Sequence, residues 1–144
     1  MAHSKRQILL EVVSQEKKLL SQQVDSVTLT TSEGELTILP DHIALFSEVY
    51  PGELVYRSAG QEESVVVSHG FVNVYSPEDK VVVMVDRGVL SQDINIQRAE
   101  EAIAAAHATM LKTQDQRELM MAEASLRQAM LEIKVAQKTK RTKI

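Results

Sequence analysis

Glu33 and Glu35 flank Gly34, and Asp41 and His42 follow Pro40 a few residues later. Paired carboxylates can share general acid and base work when burial or a neighbouring charge drives their pKa values apart. An aspartate beside a histidine can orient an imidazole, and acids with a histidine can hold a metal ion. A third use needs no titration: exposed acids and a histidine on a loop can dock a partner surface. Each chemical option asks for more than these residues supply. In extended chain Glu33 and Glu35 share a side, and in a turn they splay. Glutamates beside a turn glycine are commonly solvated, so catalysis by this pair is set aside. No serine in a Gly-x-Ser-x-Gly elbow stands ready for His42 to activate, and Ser68-His69-Gly70 reads as a strand-end turn. His3, His42, His69 and His107 lack the i, i+4 ligand spacing of a helical metal site. There is no cysteine, hence no thiolate nucleophile, disulfide or cysteine zinc site. No P-loop occurs, and no Gly-rich loop opens a helix.

The elements that carry these residues divide the chain in two. All five glycines, all three prolines and all five aromatic residues lie in residues 1–88. Beyond Gly88 there is neither Gly nor Pro, and Ala, Met, Gln and Glu dominate. The front reads as short strands, "ILLEVVS", "VDSVTLTT", "ELTILP", "ELVYRS", "SVVVSHG", "FVNVYS" and "KVVVMVD", separated by turn chemistry such as Glu33-Gly34, Pro51-Gly52 and Ala59-Gly60. Val72 and Val74 alternate around Asn73, whereas "VVVMV" is apolar on both faces and suits a central strand. The back has the helical period. Ile96, Ala99, Ile103, Ala106 and Met110 form one stripe, and Leu119, Ala122, Leu126, Met130 and Ile133 form another. Asp93 suits the first N-cap; Thr113 with Gln116, or Asp115 with Glu118, suits the second. The expected fold class is α+β: an N-terminal β-sandwich, or flattened barrel, in residues 1–88, followed by an antiparallel two-helix hairpin in 89–144. The connector "MLKTQDQRE" has no Gly or Pro and is a weak stop. Thr and Asp lose only about 0.5–0.7 kcal/mol against Ala in a helix, so a hairpin that opens onto a partner and an ordinary stable one both fit.

The formal net charge of −4 conceals an asymmetry. Residues 1–91 hold 7 basic and 13 acidic side chains, and residues 92–144 hold 9 and 7. The tail after Ile133 carries Lys134, Lys138, Lys140, Arg141 and Lys143 with no acid, which suggests different neighbours at the two ends. Nucleic acid is not the expected partner, because the basic run has no aromatic side chain to stack on bases. Glu11, Glu16, Lys17 and Lys18 interrupt the first apolar run, so no signal-peptide core survives, and no later stretch is long enough to span a bilayer. The expected protein is soluble and intracellular. From the residues alone it is a non-enzymatic two-part adaptor of an unspecified assembly.

Several stretches then point to a family. "LEVVSQEKKLLSQQVDSVTLTTSEGELTILPDH", "PGEL", "VVVSHGFVNV", "VVVMVD" and "SQDINIQRAEEA" resemble the epsilon subunit of bacterial F-type ATP synthases, over Ile8 to about Lys138. The segment Gly34-Glu35 to Leu39-Pro40-Asp41-His42 is the most specific part. The resemblance implies a non-catalytic rotor subunit of a proton-translocating synthase, peripheral on the cytoplasmic face of the bacterial cell membrane and attached only through partners. The sandwich would contact the gamma subunit and the membrane ring of c subunits. Glu33, Glu35, Asp41 and His42 would face that ring as docking residues. The hairpin would lie flat or rise along gamma toward the alpha and beta subunits, acting as a brake on ATP hydrolysis, with Arg127, Lys134 and Lys138 as candidate beta-subunit contacts. No cofactor is required. Some members bind regulatory ATP through an Ile/Leu-Asp-x-x-Arg-Ala motif, to which Ile94, Asn95, Arg98 and Ala99 correspond, with Arg127 on the second helix. Asn95 replaces the acid, and Gln128 and Glu132 stand where those members are basic, so only weak ATP binding is implied. Two further departures are Asp41 and His69, each where the family often has Gly. The competing reading is a β-sandwich plus coiled-coil adaptor of another assembly.

Overall fold

The computed structural model describes residues 6–142, with side chains through Thr139. It divides into two compact units that meet at Leu90 and Ser91.

The first unit is built from ten strands: β1 (Ile8–Val13), β2 (Lys18–Val24), β3 (Ser26–Thr31), β4 (Gly34–Ile38), β5 (Leu45–Val49), β6 (Gly52–Ser58), β7 (Gln61–Val67), β8 (Gly70–Tyr75), β9 (Lys80–Val85) and β10 (Gly88–Leu90). They pair in the order β10-β7-β6-β3-β5-β8-β9-β1-β2, with β4 on β3. Among the described residues, only the β1–β9 pair is parallel. The sheet curls until β2 approaches β6 and β10, giving a nearly closed barrel. Alternation decides what goes inside. Ile8, Leu10 and Val12 of β1, Val72 and Val74 of β8, and Val81, Val83 and Val85 of β9 all point into one core with at most 4% exposure. Each such side chain contributes roughly 1.5–3 kcal/mol by leaving water.

Three strands depart from the sequence expectation. The polar β2 was not expected, because it forms an edge whose outer face is Ser and Gln while Leu19 and Leu20 lean on the core. The short β5 carries Ser47 and Glu48 among its five residues, and β10 has only three residues. Since Gly88–Leu90 pairs with Val67–Val65, the sheet runs past Gly88 to Leu90. The stretch "SVVVSHG" ends as a strand at Val67, where Ser68 turns to bond Arg87.

In the second unit a turn of 3-10 helix, Ser91–Asp93, leads into α1 (Ile96–Lys112) and α2 (Gln116–Thr142). Asn95, not Asp93, is the first cap: its Oδ1 accepts the Arg98 N–H at 3.1 Å, because helical dihedrals begin only at Ile96. Asp115 caps α2 by accepting the Arg117 N–H at 3.0 Å. Thr113, at φ −81° and ψ 143°, is the residue that breaks the helix. Its hydroxyl bonds Glu118 at 2.6 Å and accepts the Asp115 N–H at 3.1 Å. The buried seam uses small residues, Ala99 and Ala106 on α1 and Ala122 and Ala129 on α2. Met130, expected in the stripe, is 57% exposed, since Ala129 takes the inward position.

Candidate functional site

The β3–β4 hairpin carries the two glutamates. Glu33 lies in the turn, where its N–H meets Thr31 Oγ1 at 3.2 Å, and Gly34 adopts φ +109°. Glu35 lies in β4 opposite Thr30. Both are exposed, and no contact among the described residues joins them to each other or to Asp41 and His42. They therefore offer separate exposed charges and no acid–base couple.

After β4 the chain turns at Leu39-Pro40-Asp41-His42. The His42 N–H bonds the Leu39 carbonyl at 3.1 Å, and His42 Nδ1 sits 2.8 Å from the Ile43 carbonyl. Asp41 has φ +68°, the left-handed conformation a glycine would adopt without strain, and its N–H is held by Asp79 Oδ1 at 2.7 Å. Asp41 and Asp79 both also bond Arg6. Leu39 and Ile43, at either end of the loop, are 54% and 75% exposed. An exposed loop with an apolar residue on each side of a polar pair suits contact with another surface.

A larger exposed surface was missed from sequence. Phe46 on β5 and Phe71 on β8 stack with ring centroids 5.6 Å apart, while 62% and 41% exposed. The pairing places Phe71 opposite Glu48 on one side and Met84 on the other. Met84, 40% exposed, and Tyr75, 39%, extend the patch. His69 edges onto Phe71 and bonds Glu48 through Nε2 at 2.5 Å. His69 does not have a positive φ, so its position does not call for glycine. Gly70 is different: a Cβ there would lie 2.0 Å from the Met84 carbonyl oxygen, so the β8–β9 approach requires glycine. The sequence signal was the alternation about Asn73. Inward Val72 and Val74 oblige Phe71 and Tyr75 to face out.

On the outer side of β1, Glu11 bonds Lys18 at 2.7 Å and Lys80 at 3.0 Å. The Lys18 hydrogen bond, then that of Lys80, holds its carboxyl below the usual range. Tyr56 is pushed up to about 12 by burial and by Glu63, to which its hydroxyl donates at 3.2 Å.

In the hairpin the candidate nucleotide residues take the following places. Asn95 is occupied as a cap, Ala99 is buried in the seam, and Arg98 and Arg127 are exposed. Ile94 and Asn95 line an open cavity of about 520 Å³ with Ser91, Gln92, Ile96, Ala136 and Thr139, none of them basic. Arg127, Lys134 and Lys138 are spaced seven and four apart, so they share one side of α2. The side chains of Lys140 and Arg141, and all of Lys143, lie outside the described residues. Among the described residues, no helix is long and apolar enough to cross a membrane, and no group of three or more His, Asp or Glu could hold a metal ion.

The family model for "ATP synthase, Delta/Epsilon chain, beta-sandwich domain" matches residues 7–91. An ATP synthase epsilon chain of Dehalococcoides mccartyi is 39% identical over 92% of this chain and 94% of its own. That of Syntrophobacter fumaroxidans is 36% identical over 92% and 97%. The sodium-ion-specific epsilon chain of Propionigenium modestum is 28% identical over 89% and 92%. The fold also matches a chain of the Euglena gracilis mitochondrial ATP synthase, with TM-score 0.63 and 22% identity, over 96% of this chain and 82% of that one.

Proposed function

The chain belongs to the ATP synthase epsilon-chain family, and on that premise we propose that it is a non-catalytic rotor subunit of a proton-translocating bacterial synthase. The observation that carries a docking role is the stacked Phe46–Phe71 pair. Large aromatic surface left in water on an otherwise well-buried sheet favours a partner that covers it. In this reading the aromatic face meets the coiled-coil gamma subunit. The loop with His42, together with Glu33, Glu35 and Asp41, faces the polar loops of the c-ring. The protein then sits at the membrane surface through its partners alone.

The hairpin is the regulatory part of the proposal. Its seam is mostly alanine, which buries little apolar area per residue, and its connector is fastened by a few exposed hydrogen bonds. A row of Arg127, Lys134 and Lys138 on α2 would gain several ion pairs at once against acidic alpha or beta subunit surfaces. Such contacts favour an opened hairpin that slows ATP hydrolysis. Bound ATP is at most a weak modulator in this reading, because Asn95 supplies no carboxylate.

A pull-down with the tagged full chain from native membrane extract tests the assignment. Recovery of a gamma-type stalk subunit and c subunits supports it. Recovery of an assembly without synthase subunits favours the alternative, an adaptor for another complex.

A further inference from the structure

Three distant segments close a ring at the foot of the His42 loop. Arg6 Nη1 bonds Asp41 Oδ2, and Arg6 Nη2 bonds Asp79 Oδ2 at 3.0 Å. Asp79 Oδ1 accepts the Asp41 backbone N–H at 2.7 Å. Both acids lie in the left-handed region, Asp41 at φ +68° and Asp79 at φ +51°. Few L residues tolerate that conformation, and aspartate is among them only with local support. Without Arg6, two carboxylates would face each other with their repulsion unopposed. The base of the brace is fixed, because the Leu9 N–H bonds the Asp79 carbonyl at 2.9 Å and ties the start of β1 to the same turn.

We propose that Arg6 is a positioning residue for docking: through Asp41 it holds the 39–43 loop in the shape that presents His42. The inference rests on the docking role of that loop. His42 follows Asp41 directly, and its ring is oriented by the adjacent Ile43 carbonyl, so its direction depends on the Asp41 backbone. A glycine at position 41 would adopt the same φ without strain and without side-chain support. Arg6 and Asp41 are therefore coupled, and a glycine at 41 makes Arg6 dispensable.

The test titrates full-length variants onto a bacterial synthase depleted of this subunit, reading the apparent Kd from restored coupled proton pumping. Amide exchange at Asp41 and His42 is followed in the free chain. Arg6→Ala should weaken binding about tenfold, the loss of roughly one charge-assisted contact, and should speed both amides. Arg6→Lys, which keeps the charge without the fork, should fall between. In an Asp41→Gly background, adding Arg6→Ala should change binding by no more than about twofold relative to Asp41→Gly alone, a non-additivity that a general loss of stability would not show. Wild-type binding by Arg6→Ala, or a double variant weaker than Asp41→Gly by as much as Arg6→Ala is weaker than wild type, overturns the inference. His42→Ala separates the two levels. If it binds normally, the docking reading itself fails; if it binds weakly while Arg6→Ala binds normally, only the role of Arg6 fails.

Discussion

Phe46 lies against Phe71 with their planes 14° apart, on a sheet surface where both residues remain exposed. The pair is diagonal across β5 and β8, since Phe46 is opposite Asn73 and Phe71 opposite Glu48. Burying two such rings in a partner is the kind of contact that dominates an interface, at about 2 kcal/mol or more for a central aromatic residue. Phe46→Ser should therefore weaken binding to the stalk partner by tenfold or more. The free protein should lose little, with a melting temperature close to wild type. A large drop in melting temperature with unchanged binding would make the stack a folding element.

Glu35 faces water from β4 and contacts none of the other proposed docking residues. A polar contact of this kind contributes about 0.5–1.5 kcal/mol net. Glu35→Ala should weaken the coupling of proton flow to ATP synthesis and leave the melting temperature of the isolated chain within error. Loss of stability without loss of coupling would move Glu35 from docking to folding.

Much of this arrangement was readable from residue order. Val-rich alternation fixed the strands of the core, and the disappearance of Gly and Pro marked the passage to helices. What escaped had physical reasons. The outer face of β2 is Ser and Gln, so its pairing with β1 gives no apolar signal. Asp93 and Asn95 are comparable caps by composition, and only the point where helical dihedrals begin chooses between them. The Phe46–Phe71 stack depends on the β5–β8 register, which joins residues 25 positions apart and is set by turns whose lengths the sequence leaves open. The brace of Arg6, Asp41 and Asp79 is likewise made by tertiary proximity.

Glu11 links β1 to Lys18 and Lys80, whose hydrogen bonds hold its carboxyl below the usual glutamate range. A depressed carboxylate adds stability above its unfolded pKa, and that stability is lost as pH falls through the lower folded value. Glu11→Gln should therefore melt below wild type at pH 7, and the gap should shrink well under pH 4.5. Tyr56 acts in the opposite range. Its contribution is complete below pH 10.0 and is lost as pH rises toward about 12. Thermal melts across pH check both, and a gap for Glu11→Gln that persists in acid would remove the ion-pair explanation.

Asn95 spends its side-chain oxygen on the Arg98 N–H, and no carboxylate stands in its place. Calorimetry on the isolated chain should give millimolar ATP binding or none. Asn95→Asp keeps the cap, because aspartate serves as well there, and should tighten any binding that exists. Micromolar binding by the unaltered chain would contradict this account of the substitution.

The central claim is that the sandwich docks while the hairpin restrains hydrolysis. Exposed ion pairs from α2 are worth about 0.2–1 kcal/mol each, and several together shift an equilibrium tenfold for every ~1.4 kcal/mol. The most direct measurement is the ATP hydrolysis rate of a synthase depleted of this subunit, reconstituted with either the full chain or a chain lacking residues 115–144. Both should bind and restore assembly, and only the full chain should slow hydrolysis, less so as added salt screens the charges. Equal rates with the two chains, at matched occupancy, would contradict the brake and leave the protein a stalk linker.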